Sequence, residues 1–567
     1  MKKIFLFLGV AMMSVLAQAG DGFFLSQNLP NPFDGSTIVY LATEQSGEAT
    51  LVVSDIYGNF QTQWSEPIES GVHKFQLTLR AQGNYVLGAH MCGKSSSIVL
   101  FCENGGGANR IEYFGWVDEW EEEAFQNITA EDTEEEFVNY AALHAPTSAA
   151  AAASDFRVAL SLSPFTLNQF EAGYTFKVGD QTATTPAELQ LIYQSLGSTE
   201  MYVRLATKRH KTYNADGTLD NTTDGKPDEN ANVHTFDQVM QTCRIAASLN
   251  IPINPEVMCA YIYMDMDGTQ APRFYKADYP ELYATNPTWA AILKNGDAKW
   301  EELSLEDICT VLEIYGEFVA DSILATGCTV NDWNLGNEAN FGFAGIGIGV
   351  PNSFDQKLAK AGPMKRYMSS LFSLYWLKKH VWCYNVKEYA AIQRGILKAY
   401  AKAGKDASNV KFSTHIATVT STPRATTSFF TYMMQNGYDL QTAGISYYPS
   451  APAMSFNKKK MLTKTVTRIN KKCGVPVFIG EFSYPSQDMV GPFAGWNKQL
   501  STYMKNQQGQ ADIYRDVIAW GKDHGLIGIR YWAPDYEGEW YPMSMFTFEN
   551  KVGTAKTILL NHKEIVK

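Results

Sequence analysis

Two short runs carry the residues that could do chemistry. Asn331-Asp-Trp-Asn-Leu-Gly-Asn-Glu338 and Pro476-Val-Phe-Ile-Gly-Glu481 are each of strand type, and each ends in a glycine with a glutamate directly after it or one residue later. A buried strand that delivers a carboxylate at its C-terminal tip is how an eight-stranded β/α barrel builds an active site. Two such carboxylates suit retaining hydrolysis of a glycosidic bond, in which the groups lie about 5–5.5 Å apart. One carboxyl with a raised pKa protonates the departing oxygen, and the other, ionised, captures the anomeric carbon.

Elements able to hold those tips recur from residue 156 to the end. Candidate strands are Arg157–Leu162, Met201–Leu205, Pro252–Val257, Val330–Leu335, Val410–His415, Thr442–Tyr447, Pro476–Gly480 and Leu526–Tyr531. Between them, apolar residues at helical spacing mark amphipathic helices, for example Phe236, Val239, Met240, Cys243 and Ala246, or Ile308, Val311, Leu312 and Tyr315. Eight such repeats predict a (β/α)8 TIM barrel over 156–567. The strand tips then offer Arg204, Asn337 and Glu338, His415, Tyr447 and Tyr448, Glu481, and Tyr531 with Trp532. Arg204 near the nucleophile would keep it ionised, and Asn337 could bond a sugar 2-hydroxyl.

The same positions support a resemblance. Arg204, Gly336-Asn-Glu338, His415, Gly444-Ile-Ser-Tyr-Tyr-Pro449, Glu481 with Tyr484-Pro485, and Tyr531-Trp-Ala-Pro534 resemble glycoside hydrolase family 53, the clan A endo-β-1,4-galactanases, across roughly residues 157 to 545. The likeness implies Glu338 as acid/base and Glu481 as nucleophile, with Trp532 flooring the subsite where the bond breaks. Tyr484 joins the substrate-binding set on the same ground. The chain departs from the family in three places. Glu256-Val-Met-Cys-Ala-Tyr-Ile-Tyr263 stands where the family has Asp-Phe-His-Tyr-Ser-Asp, Trp532-Ala-Pro534 replaces Trp-Glu-Pro, and the loop Asn340–Asn385, with Trp376 and Trp382, is longer. A different β-glycan (mannan or glucan) and a non-catalytic glycan-binding barrel are the competing readings.

Lys2 and Lys3, the apolar run Ile4–Leu16 and Ala17-Gln-Ala19 predict a signal peptide over 1–19, hence a secreted, periplasmic or cell-surface protein. Residues 21–103 alternate short strands with turn residues and predict a small all-β sandwich. Asn28-Leu-Pro-Asn-Pro-Phe33, Asp55-Ile-Tyr-Gly58 and Gly83-Asn-Tyr-Val86 resemble a Bacteroidetes-type secretion (sorting) domain, which in that family sits at the C-terminus; a spacer or sugar-binding sandwich is the alternative. Residues 104–155, acidic and closing on Ala149–Ala153, read as a linker.

A net charge of −12 argues against nucleic acid or anionic membranes as partners, and the glycosidase reading implies a polysaccharide. No later run is long and apolar enough to suggest a membrane span. No cofactor is expected and no metal motif stands out. The Asp/Gly-rich loop Asn214–Gly225 could hold a structural calcium, although it lacks the order of an EF-hand. Of the eight cysteines, Cys92 and Cys102 are close enough in sequence to bridge, and the rest read as buried thiols.

Overall fold

The computed structural model describes residues 23–26, 28, 32–43, 45–69, 71–116, 156–362, 365, 374–418, 421–451, 459–497 and 502–567. The expected signal peptide (1–19) and residues 117–155 of the expected linker lie outside these.

The N-terminal unit is all β. Its strands are β1 (Phe23–Leu25), β2 (Phe33–Thr43), β3 (Gly47–Asp55), β4 (Phe60–Ile68), β5 (Gly71–Thr78), β6 (Gly83–Met91), β7 (Lys94–Gly105) and β8 (Arg110–Trp116). They pair in the order β4-β3-β6-β7-β2-β5-β8, with β1 added to β2. Inward residues alternate with outward ones, as on β7, where Ser96, Ile98, Leu100 and Cys102 are buried. Two features differ from expectation. Strand β8 falls inside the stretch read as linker: it pairs with β5, and its Ile111 and Tyr113 pack on the module's core. Cys92 and Cys102 are both free thiols. The register of the β6–β7 hairpin explains why: Met91 faces Lys94 at the turn while Cys102 faces Gly83 at the far end. The two cysteines therefore stand a whole strand length apart, well beyond disulfide reach.

The second unit carries a parallel eight-stranded sheet: β9 (Arg157–Ala159), β10 (Met201–Leu205), β11 (Ile253–Val257), β12 (Trp333–Leu335), β13 (Phe412–Ala417), β14 (Thr442–Tyr447), β15 (Val477–Phe482) and β16 (Leu526–Tyr531). Neighbours pair in chain order from β10 to β16, and β16 returns to β9. The seam between β9 and β10 is drawn together by Thr199 N donating to Val158 O at 2.9 Å and Tyr202 N to Ser161 Oγ at 3.2 Å. This is the expected TIM barrel. Every residue of β10, β11, β13, β14 and β15 is buried, as strands covered on both faces must be.

Helices fill the crossovers: α1 (Pro186–Ser195), α2 (Phe236–Ser248), α3 (Leu305–Ala325), α4 (Cys383–Lys402), α5 (Pro423–Gln435), α6 (Lys459–Cys473) and α7 (Gln507–Asp523). Their starts follow local chemistry. Thr185 and Glu188 close a reciprocal capping box around Pro186 on α1, and Ser304 caps α3, whose first turn holds Glu306 and Asp307 at the positive end of the dipole. Trp376 and Trp382 of the long loop after β12 are both buried. Trp382 donates to Asn340 O at 3.2 Å and packs edge-on against Phe429. Among the described residues, no helix is long and apolar enough to cross a membrane.

Candidate active site

At the carboxyl ends of the barrel strands, five ionisable side chains meet in near-complete burial. Arg204 on β10 stands opposite Glu256 on β11 in the strand register. Its Nε approaches Glu256 Oε1 at 2.6 Å. Its Nη2 donates to Asn337 Oδ1 at 2.8 Å, to Tyr202 Oη at 2.8 Å, and to Glu481 Oε1. Tyr448 donates its hydroxyl to the other oxygen of Glu481. His415 on β13 lies with Nδ1 3.1 Å from Glu256 Oε2 and Nε2 3.7 Å from Glu481 Oε1. Asn334 Nδ2 donates to Glu256 Oε2 at 2.9 Å.

The backbone makes room for this cluster. A Cβ on Gly444 of β14 would lie 2.4 Å from the Cβ of His415, so only glycine lets the imidazole pass. The register between β14 and β15 then slips by one: Ile445 faces Ile479, but Ser446 faces Glu481. Gly480 is the extra residue of that bulge, which re-aims the glutamate after it. At the tip of β12, Gly336 and Glu338 have φ of 80° and 45°. A glutamate in the left-handed region is sparsely populated backbone of the kind that collects at functional sites.

The two glutamates sit in opposite electrostatic environments. Burial pushes Glu481 up, but Arg204, His415 and the Tyr448 hydroxyl overcome that and bring it down to about 2. Burial likewise raises Glu338, and there the charges of Glu481 and Asp265 add to it, so it rises to about 8 despite His415. The backbone N–H of Met266 lies 3.5 Å from its Oε2. Burial opposes a charge on His415, yet Glu256 and Glu481 lift it to about 9. Glu256 stays below its ordinary value because Arg204 and His415 outweigh its desolvation. Two anions and two cations balance, and Glu338 is left as the protonated fifth member.

Of the residues expected at the site, Arg204, Asn337, Glu338, His415, Tyr448, Glu481 and Trp532 converge. Half-buried Trp532 lays its ring over the Arg204 guanidinium, 4.1 Å from Cζ to centroid. Asn337 is fixed from the other side, donating to Met264 O at 2.6 Å. The remaining three tyrosines are held elsewhere. Tyr447 is buried on β14 with its ring 6.3 Å from that of Phe482. Tyr484 donates to Tyr503 O at 2.7 Å, and Tyr531 to Met543 O at 2.7 Å while accepting from Gln510. Strand residues alternate faces, so a place at a tip does not by itself turn a side chain into the cleft.

Glu256, Tyr202 and Tyr263 are members that the strand-tip reading passed over. The available signal was Asn254 and Glu256 at period two inside an otherwise apolar strand, an expensive burial unless paired. In the Asp/Gly-rich loop, Asp216 and Asp220 accept from Thr218 and Thr222, and Asp224 pairs with Arg273 at 2.6 Å. Among the described residues, no group of three or more His, Cys, Asp or Glu could hold a metal ion.

Residues 288–557 match the family model described as glycosyl hydrolase family 53. No curated protein matches the sequence. Among solved structures, a fungal β-1,4-galactanase is 14% identical with a TM-score of 0.50, covering 72% of this chain and 99% of its own, which establishes the shared barrel. The glycoside hydrolase family 53 catalytic domain of Ignisphaera aggregans is 15% identical with a TM-score of 0.48, covering 74% of this chain and 98% of its own. With its barrel complete and the family match spanning both glutamates, the catalytic region is that of a glycoside hydrolase.

Proposed function

We propose that this protein is a secreted, retaining endo-β-1,4-galactanase that works by double displacement. Glu338 is the acid/base and Glu481 the nucleophile. One observation carries the reading: two buried glutamates in one cluster are driven to opposite protonation states, Glu481 by the donors Arg204 and Tyr448 and the nearby charge of His415, and Glu338 by burial beside Glu481's charge. That is what a neutral acid paired with an ionised nucleophile requires.

In the first step, Glu481 attacks the anomeric carbon while Glu338 gives its proton to the departing glycosidic oxygen. Trp532 supplies an apolar platform for the sugar ring, and Asn337, already oriented by Arg204 and Met264 O, offers its second amide N–H to the 2-hydroxyl. In the second step, Glu338 removes a proton from water, which attacks the glycosyl ester and regenerates Glu481 with retained configuration. Two carboxyl groups suffice for this chemistry, so no cofactor is called for.

Galactan is favoured by the family match and by the fungal β-1,4-galactanase that shares the barrel. Reducing-end release from galactan, mannan and xyloglucan tests the substrate, with galactan expected to lead. NMR of the first-formed product tests the stereochemistry, and an inverted anomer would overturn the two-step scheme. Export rests on the charged and apolar pattern of residues 1–19, and N-terminal sequencing of the mature protein, expected to begin at Gly20, tests it. The β module is read as a sorting or sugar-binding appendage.

A further inference from the structure

The segment after β11, where this chain departs from the family it resembles, leads into a second polar feature beside the nucleophile. Half-buried Tyr263 lies near the Arg204 guanidinium, with Cζ 5.8 Å from its ring centroid, as Trp532 does at 4.1 Å. The ring of His234, from the loop between β10 and α2, stacks on Tyr263 at 5.7 Å and 21°. Phe165 also packs edge-on against His234 at 6.5 Å.

His234 is only 1% exposed, and among the described residues neither of its ring nitrogens has a hydrogen-bond partner. Burial and the nearby Arg204 charge keep the imidazole neutral. A neutral imidazole carries one donor and one acceptor. Leaving both unmet at a buried position is costly, which points to a ligand that meets them. Sugar hydroxyls, which donate and accept at the same atom, are the complementary groups.

We propose that His234 and Tyr263 form a hydroxyl-binding wall of the subsite holding the sugar ring that Glu481 attacks. His234 grips one ring hydroxyl through a nitrogen, and Tyr263 orients the imidazole and shields that bond from water. This rests on the glycosidase reading above and adds a specificity determinant to it. A site built to bond a hydroxyl discriminates strongly against a sugar lacking it.

The test is a cycle between residue and hydroxyl. kcat/KM is measured for p-nitrophenyl β-1,4-galactobioside and for analogues lacking single hydroxyls on the ring next to the aglycone, with wild type, His234→Phe and Tyr263→Ala. His234→Phe should lose about tenfold or more on the full substrate, the value of a well-made hydrogen bond. The same loss should appear in wild type with one monodeoxy analogue, and combining the two changes should add nothing further. Tyr263→Ala should weaken the same hydroxyl's contribution. Should His234→Phe fail to fold by circular dichroism, His234→Gln enters the same cycle. Wild-type rates in the variants, or losses that multiply for every analogue, would overturn the proposal. The cycle is repeated with calorimetric Kd values for β-1,4-galactotetraose in a Glu338→Gln background. If wild type cleaves no glycoside the hydrolase mechanism fails, while the binding cycle still decides the role of His234.

Discussion

Replacing Arg204 by methionine removes the cation on which the nucleophile depends while keeping much of its buried volume. The structure sets the scale. Arg204 contacts both Glu256 and Glu481 with its own side chain at 0% exposure, so no water can take its place cheaply. Glu481 falls from the ordinary 4.5 to about 2, a difference of about 3 kcal/mol in favour of the carboxylate. Breaking a buried pair by removing one partner costs about 3–5 kcal/mol, a figure of the same size. The sign follows from linkage. A carboxyl depressed in the folded state stabilises the fold above its unfolded pKa and loses that contribution as pH falls toward about 2. Without Arg204, burial acts on Glu481 with only His415 and Tyr448 opposing it, so its pKa rises. The pH profile of kcat/KM on an aryl galactoside should therefore gain an acid limb inside the measurable range, where wild type stays flat down to acid unfolding. Urea unfolding at pH 7 should show a loss of about 3 kcal/mol. An Arg204→Met enzyme with an unmoved acid limb and wild-type stability would refute the electrostatic argument.

Three further outcomes are expected. Wild type should lose activity above about pH 8 and Glu338→Gln should abolish that fall; the variant should also slow polysaccharide cleavage far more than bond breaking in activated aryl glycosides, read from pre-steady-state bursts. Glu481→Ala should remove nearly all hydrolysis while oligosaccharide binding by calorimetry persists; retained turnover would exclude it as nucleophile. Gly444→Ala should place a methyl against His415, lowering stability by about 1–3 kcal/mol and displacing the imidazole, seen as a lower Tm together with reduced kcat.

Much of the barrel was legible because parallel strands buried on both faces read as uninterrupted apolar runs. Met201–Leu205, Thr442–Tyr447 and Leu526–Tyr531 coincide end to end with β10, β14 and β16. Strand β8 escaped notice for the opposite reason: Arg110–Trp116 is an edge strand that follows a glycine run resembling a linker. At the site, tip position picked out Arg204, Glu338, His415 and Glu481, but not which way each neighbouring tyrosine turns. Polar residues at period two mark Glu256 as unusual, but its partner emerges only from its register against Arg204, a pairing between segments far apart in the chain. His234 lies in an irregular loop where no periodicity marks it.

The even balance of two anions against two cations around Glu481 has a consequence for the proposed cycle. Once Glu481 is esterified to sugar its charge disappears, and Arg204 and His415 then face Glu256 alone. Those three carry one surplus positive charge, which the carboxylate of Glu338 balances once it has given up its proton. The repulsion that held Glu338 neutral is gone, and the surplus cation favours its anion. The same side chain is thus tuned to donate before the covalent intermediate and to accept after it, with the nucleophile's own charge as the toggle.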